Sequence, residues 1–326
     1  MYLIHISPLH GISSKKRLAQ VLNTDTATLR TLVKQLHSTS LPYTVFPQKQ
    51  RGKIRIIQNP FPELKKIQKR IKTLLLRVST PEWLISGKKG ISYSDNARYH
   101  QQNKIVTCLD IHRFYQHVQK KFVYGFFLND LQMEKDIAGI MTDLVMFREA
   151  EQCHLPTGAP SSQIIAFWTF HSLFERLHLL AKKRGIKMSL YVDDITLSSS
   201  QPIPPKFIEL FENGLNSFGL SLKQQKVKRY GVSADKEITG SILTSKGEVR
   251  VPNKLRKKLF ELMDNQPIDK LDFDTLEKVY GLLNSARQIE SNLFTPLYNK
   301  VAQRFKELRP LQPKYQKKPR RPRRSK

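Results

Sequence analysis

From Met188 to Ser199 apolar and polar residues alternate: Met188, Leu190 and Val192 occupy one register, and Ile195 and Leu197 resume it after Asp193-Asp194. Period-two alternation on both sides of a short break predicts a β-hairpin with two adjacent carboxylates at its tip. A strand sends neighbouring side chains to opposite faces, and like charges placed together repel. Such a pair is commonly a solvated turn. Its other physical meaning is an oxygen-ligated divalent cation, since hard cations such as Mg²⁺ take carboxylate ligands.

Around that hairpin the pattern mixes helices and strands. Leu18, Val21 and Leu22, then Leu29, Leu32, Val33 and Leu36, predict two short helices over residues 15–37, with Thr24 or Asp25 capping the second. Tyr43–Phe46 and Lys53–Ile57 read as strands, with Lys53 and Arg55 on one face of the second. A helix follows from about Pro62 to Arg77, a strand over Ile105–Ile111, and a helix over Met133–Arg148. One long helix is expected from Ser162 to Arg184, capped by Ser161, apolar on most sides and stopped by Gly185. Lys206–Phe218, Asn253–Met263, Asp274–Ile289 and about Pro296–Leu308 complete the helices. The order is that of an α+β body with a helical end.

The partner class follows from charge. The 326 residues carry a formal net charge of +29, and a dense polyanion is what best offsets such an excess. Arg309–Lys326 contributes nine cations and four prolines without an acid, and reads as a disordered basic tail, yet the rest keeps twenty. No apolar run approaches a membrane span, and the first residues lack the pattern of a secretion signal. Two cysteines, Cys108 and Cys153, make a disulfide scaffold or a cysteine-based zinc site a poor expectation. A soluble, cytoplasmic, nucleic-acid-handling protein is expected.

A second carboxylate stands out. Asp110 ends the apolar strand Val106–Ile111, where an unpaired charge is costly. It caps the following helix at His112–Val118, or it joins Asp193 and Asp194 in a two-cation centre, or both; such a centre draws carboxylates from separate strands.

Three segments in order, Leu109-Asp110-Ile111-His112-Arg113-Phe114-Tyr115, Leu155-Pro156-Thr157-Gly158-Ala159-Pro160-Ser161-Ser162 and Tyr191-Val192-Asp193-Asp194, resemble the palm motifs of reverse transcriptases, over about Tyr43 to Lys300. Asn96-Ala97-Arg98-Tyr99-His100 resembles the NAxxH element of bacterial retron enzymes, and Ile238-Thr239-Gly240 their VTG element with Ile for Val.

The resemblance implies a right-hand polymerase. Residues 1–105 would form N-terminal helices and fingers, 106–245 a palm with a fingers insertion at about 120–155, 246–308 a helical thumb and 309–326 the tail. It implies two Mg²⁺ ions held by Asp110, Asp193 and Asp194 with the Ile111 main chain, and phosphoryl transfer onto a primer hydroxyl. Lys53 and Arg55 would take the triphosphate of a dNTP, Tyr115 would bar a 2′-hydroxyl, and Thr157 and Gly158 would approach the nucleotide. Lys226 would meet the pyrophosphate. Asn96 and His100 would contact RNA or serve a local structural role; Thr239, Gly240 and the cationic run Lys254, Arg256, Lys257 and Lys258 would complete the RNA contacts, with Arg287 and Lys300 further on.

The implied partners are a structured non-coding RNA serving as template and primer, an RNA–DNA hybrid, a branched RNA–single-stranded DNA product and a separate effector protein in anti-phage defence. Other readings are an enzyme of a group II intron or a diversity-generating element, the former disfavoured by the short run beyond the thumb, and a catalytically idle RNA-binding scaffold. Arg113 stands where many relatives carry an acid, Thr157 replaces a usual Gln and Gln163 a usual Pro.

Overall fold

The structure is a computed structural model describing residues 3–309 except 51, 150, 151 and 265. The basic tail lies outside the described residues from 310 onward. In chain order the elements are α1 (Lys15–Val21), α2 (Thr26–Leu36), β1 (Tyr43–Gln50), β2 (Lys53–Pro60), α3 (Pro62–Leu75), α4 (Tyr93–Tyr99), β3 (Ile105–Asp110), α5 (Phe114–His117), α6 (Lys120–Gly125), α7 (Lys135–Val145), β4 (Phe147–Glu149), β5 (Gln152–His154), α8 (Ser162–Thr169) and α9 (His171–Lys182). There follow β6 (Lys187–Tyr191), β7 (Asp194–Ser199), α10 (Pro205–Asn216), β8 (Lys228–Tyr230), β9 (Lys236–Ile238), β10 (Ser241–Leu243), β11 (Val249–Arg250), α11 (Asn253–Met263), α12 (Phe273–Ile289) and α13 (Thr295–Leu308). The mixed α+β class matches the sequence expectation.

The chain forms two compact units, one of Met1–Ile91 with Asn103–Gly231 and one of Ser92–Gln102 with Val232–Lys326. In the first, an antiparallel sheet runs in the order β6-β7-β3-β8. β7 and β3 take its centre because they are apolar enough to be covered on both faces: Val106, Leu109, Ile195 and Leu197 are buried. Helix α9 packs along β6, with α10 against α9. β1 and β2 form a separate antiparallel hairpin, and β4 and β5 another.

Three expected elements differ. The long helix is broken at Phe170, whose amide bonds back to the Phe167 carbonyl before α9 begins. The break turns the wholly buried Phe170 ring toward Phe114, Phe122 and Phe218, and the His171 ring caps the Trp168 carbonyl at 2.8 Å. Ser161 stands at the start of α8 but its hydroxyl makes no cap bond there. The helix expected to Arg148 stops at Val145, because Phe147 enters β4 and meets Tyr43 edge-on at 5.0 Å. Asp110 caps no helix: α5 starts only at Phe114, after Arg113 takes a left-handed φ of 44°.

The second unit gathers α4, the small β11-β10-β9 sheet and helices α11–α13. Leu259, Leu276, Val279, Leu283 and Val301 form the helical core. Helix α4 is bound to α12: the Tyr93 hydroxyl donates to the Ser285 carbonyl at 2.9 Å, and the Arg98 guanidinium to the Ile289 carbonyl at 2.7 Å.

Candidate active site

The site is built on the hairpin tip. Asp110 is the last residue of β3 and pairs directly with Asp194, the first of β7, while Tyr191 closes the hairpin opposite Asp194. Only Val192 and Asp193 form the turn. Tight hairpins of this kind need positive φ in the loop, and Val192 supplies it at 60°. A β-branched residue there is strained by about 1–3 kcal/mol, so the surroundings must hold it. They do so at two points: the Val192 amide donates to the Ser86 hydroxyl at 3.1 Å, and the Asp193 carbonyl accepts from the Ile111 amide at 2.8 Å.

β3 is continued past its end by the segment before β8. The Lys223 amide donates to the Asp110 carbonyl and the His112 amide to the Ser221 carbonyl, both at 2.8 Å. That register delivers Lys226, one short turn later, so that its ammonium donates to the buried Asp110 carboxylate. Burial first, then the charge of Asp110, pushes the Asp193 carboxyl above the usual carboxylate range; Lys226 and Arg55 pull it down less strongly. Burial, then Asp193, raises the Tyr115 phenol well above its ordinary value. Asp110, Asp193, Arg55, Lys226 and Tyr115 therefore share one electrostatic neighbourhood.

The loop before α8 is locked to β2. The Gln58 amide donates to the Thr157 carbonyl, and the Thr157 amide to the Gln58 side-chain oxygen, both at 2.7 Å. Gly158 sits at φ 113°, where an added Cβ would stand 2.7 Å from Ile57 Cγ2. The close approach that this glycine makes in the structure is against β2, at Ile57, two residues beyond Arg55. Gln58 and Ser86 went unread in the sequence because one buried amide and one loop hydroxyl carry no periodic signal. The Lys53 side chain lies outside what the structure describes; its backbone opens β2 opposite Gln50.

Other expected contacts lie in the second unit and are engaged in its folding. Asn96 and His100 are wholly buried, a setting that suits the local structural role of the two readings. Thr239 and Gly240, at φ 46° and 90°, form the two-residue turn between β9 and β10, and the Thr239 hydroxyl donates to the Tyr93 carbonyl at 2.8 Å. Arg256 donates to Glu290 at 3.1 Å, and Lys257 stands 3.8 Å from Glu261. Arg287 donates to the Thr295 hydroxyl at 2.9 Å and lies over the Tyr298 ring. Lys254 and Lys258 lie on α11.

The expected convergence of three acids is only partly met. Among the described residues no three His, Cys, Asp or Glu side chains gather as a set able to hold a metal ion. The donor chemistry still fits magnesium, which is commonly held by one or two carboxylates with substrate phosphates and water rather than by an all-protein cage. Two facts favour that fit: Asp193 is raised by burial and then by the neighbouring Asp110, and a lysine ammonium already sits on Asp110 where a cation would.

Residues 46–247, most of the chain, match the reverse transcriptase (RNA-dependent DNA polymerase) family. The chain belongs to that family. The Retron Se72 reverse transcriptase of Salmonella heidelberg is 30% identical over 220 residues, covering 66% of this chain and 57% of that protein. The Retron Ec86 reverse transcriptase of Escherichia coli is 25% identical over 241 residues, covering 72% of this chain and 71% of its own. Both bear out the retron resemblance read from the motifs. A solved telomerase from Candida albicans, in complex with a fragment of telomeric RNA, aligns over 88% of this chain and 59% of its own at 12% identity and a TM-score of 0.49, too slight a likeness to bear on the fold.

Proposed function

We propose that the chain is the DNA-synthesising enzyme of a retron, copying a structured non-coding RNA into a branched RNA–DNA product. The observation that carries the reading is the pairing of Asp110 with Asp194 beside the strained Val192–Asp193 turn, with Arg55, Tyr115 and Lys226 close by. β1–β2 and the N-terminal helices would serve as fingers, the four-stranded sheet with its helices as palm and α11–α13 as thumb.

Asp110 and Asp193, with Asp194 and the Ile111 main chain beside them, would hold two Mg²⁺ ions. Bound there, the ions would lower the charge barrier to attack by the primer hydroxyl and stabilise the leaving pyrophosphate. Arg55, on the strand whose Gln58 is locked to Thr157, would orient the triphosphate with its planar fork, and Lys53 would add a second charge. Tyr115 closes the sugar side of the pocket and excludes a 2′-hydroxyl. Lys226 leaves Asp110 as substrate binds and neutralises charge on the departing pyrophosphate. Lys254 and Lys258 of α11, with Lys300, would grip the hybrid through its phosphates, reading shape rather than bases. By the family, a separate effector protein and a role in anti-phage defence in the cytoplasm complete the proposal; among the described residues no helix is long and apolar enough to cross a membrane.

The test is primer extension by the purified protein on an RNA template with labelled dNTPs, followed by sequencing of the nucleic acid that co-purifies. Asp193→Asn should abolish incorporation while RNA binding persists, and a covalent RNA–DNA branch should be found. Full synthesis by the variant would refute the assignment of Asp193, and linear intron cDNA would refute the retron.

A further inference from the structure

Ser86 has no part in the chemistry above, yet it touches the most strained residue of the site. The segment Trp83–Ser86 runs parallel to β6 as a strap. The Ile85 amide donates to the Leu190 carbonyl at 2.9 Å, and the Leu190 amide to the Trp83 carbonyl at 2.8 Å. Those bonds are main chain only and secure the strap to the strand. The Ser86 hydroxyl alone reaches past the strand, accepting from the Val192 amide in the turn. Gly87, at φ 78°, then leads the chain away.

We infer that Ser86 is a positioning residue that sets the Val192–Asp193 turn, and through it the Asp193 carboxylate; the inference rests on the DNA-synthesis reading. In a two-residue turn the first amide points out of the ladder and has no partner from either strand. Ser86 is 6% exposed, so taking its oxygen away faces that amide with a methyl group rather than with water. The Asp193 carbonyl, two peptides on, is pinned by the Ile111 amide, so the two bonds together clamp the segment bearing Asp193 from both ends. Losing one side leaves a positive-φ valine free to relax, and the carboxylate moves with it. A displacement of even about an ångström at a reacting centre is costly to the chemical step while leaving substrate affinity largely alone.

The experiment compares the full-length protein with Ser86→Ala and Ser86→Thr. In Ser86→Ala, amide exchange across Tyr191–Asp194 should speed by about tenfold, the equivalent of one net hydrogen bond, while β3 and the rest of β7 keep their protection. Its kcat on an RNA template with a DNA primer should fall by about the same factor, with the dNTP KM held, the melting temperature lowered by only about 2–4 °C and the protein fully folded at the assay temperature. Ser86→Thr, which keeps the hydroxyl, should restore both. Unchanged exchange at the turn in Ser86→Ala would overturn the inference, as would a kcat lost only in step with the folded fraction. If the wild-type protein does not extend the primer, the DNA-synthesis reading fails instead, and the exchange measurement still decides the clamp.

Discussion

At Asp193 the fold carries a buried carboxylate at the expense of stability. Its folded pKa is raised by burial and by Asp110, so the neutral acid is the form the fold prefers. The stability it contributes is present below the unfolded value, about 3.9, and is lost as pH rises through the folded pKa. In metal-free protein at pH 7, Asp193→Asn should therefore raise the melting temperature, by about 2–4 °C, while ending synthesis. Differential scanning fluorimetry in chelator checks it; a lower melting temperature would contradict the charge assignment. Tyr115 gives a second residue-scale expectation: Tyr115→Ala should admit ribonucleotides that the wild type rejects, read by competition between rNTP and dNTP. The acids could be picked out in the sequence because a charge ending an apolar strand, or doubled at a hairpin tip, needs an explanation. Ser86 and Gln58 offered no such oddity, being ordinary residues made important by what the fold puts opposite them.

Elements were legible where a short-range period decides them. β6 and β7 and most of the helices lie close to where alternation and 3.6-residue spacing put them, and Asp25 caps α2 through the Thr28 amide at 2.7 Å. The break at Phe170 was not legible, because an aromatic cluster drawn from α5, α6 and Phe218 just past α10 decides it, and no local pattern records that. Two predictions belong at this scale. Gly158→Ala forces a Cβ into Ile57 at a φ that side chains avoid, and should destabilise the protein by about 1–3 kcal/mol in chemical denaturation. Because the same loop fixes β2, the surviving folded enzyme should show a raised dNTP KM. In the second unit, burial raises Glu290, but the Val251 amide at 2.7 Å and the Arg250 and Arg256 guanidinium groups outweigh it and hold the carboxyl below its usual range. Its stabilisation is present above the unfolded pKa and lost as pH falls through the folded one. Glu290→Gln should cost about 1–2 kcal/mol at pH 7 and little in strong acid, measured by urea unfolding at both.

At the scale of the molecule, a charge of +29 would make electrostatics the main source of the proposed affinity for RNA. If the protein covers some six to ten phosphates, raising salt from about 50 to 200 mM should weaken binding about 10³–10⁵-fold, read by anisotropy of a labelled RNA. A nearly flat salt response would mean that the excess charge meets something else. Charge and the α+β class were readable from composition and pattern. The union of Ser92–Gln102 with the C-terminal unit was not, because it depends on Tyr93 and Arg98 meeting carbonyls on α12 nearly two hundred residues away. The whole account turns on Asp110 and Asp193 holding divalent cations beside a nucleotide. Anomalous scattering from crystals grown with Mn²⁺, a template–primer and a non-hydrolysable dNTP tests that most directly. Manganese peaks about 2.1 Å from both carboxylates, with Lys226 moved off Asp110, are predicted. Lys226 still seated on Asp110, with the manganese bound elsewhere, would contradict it.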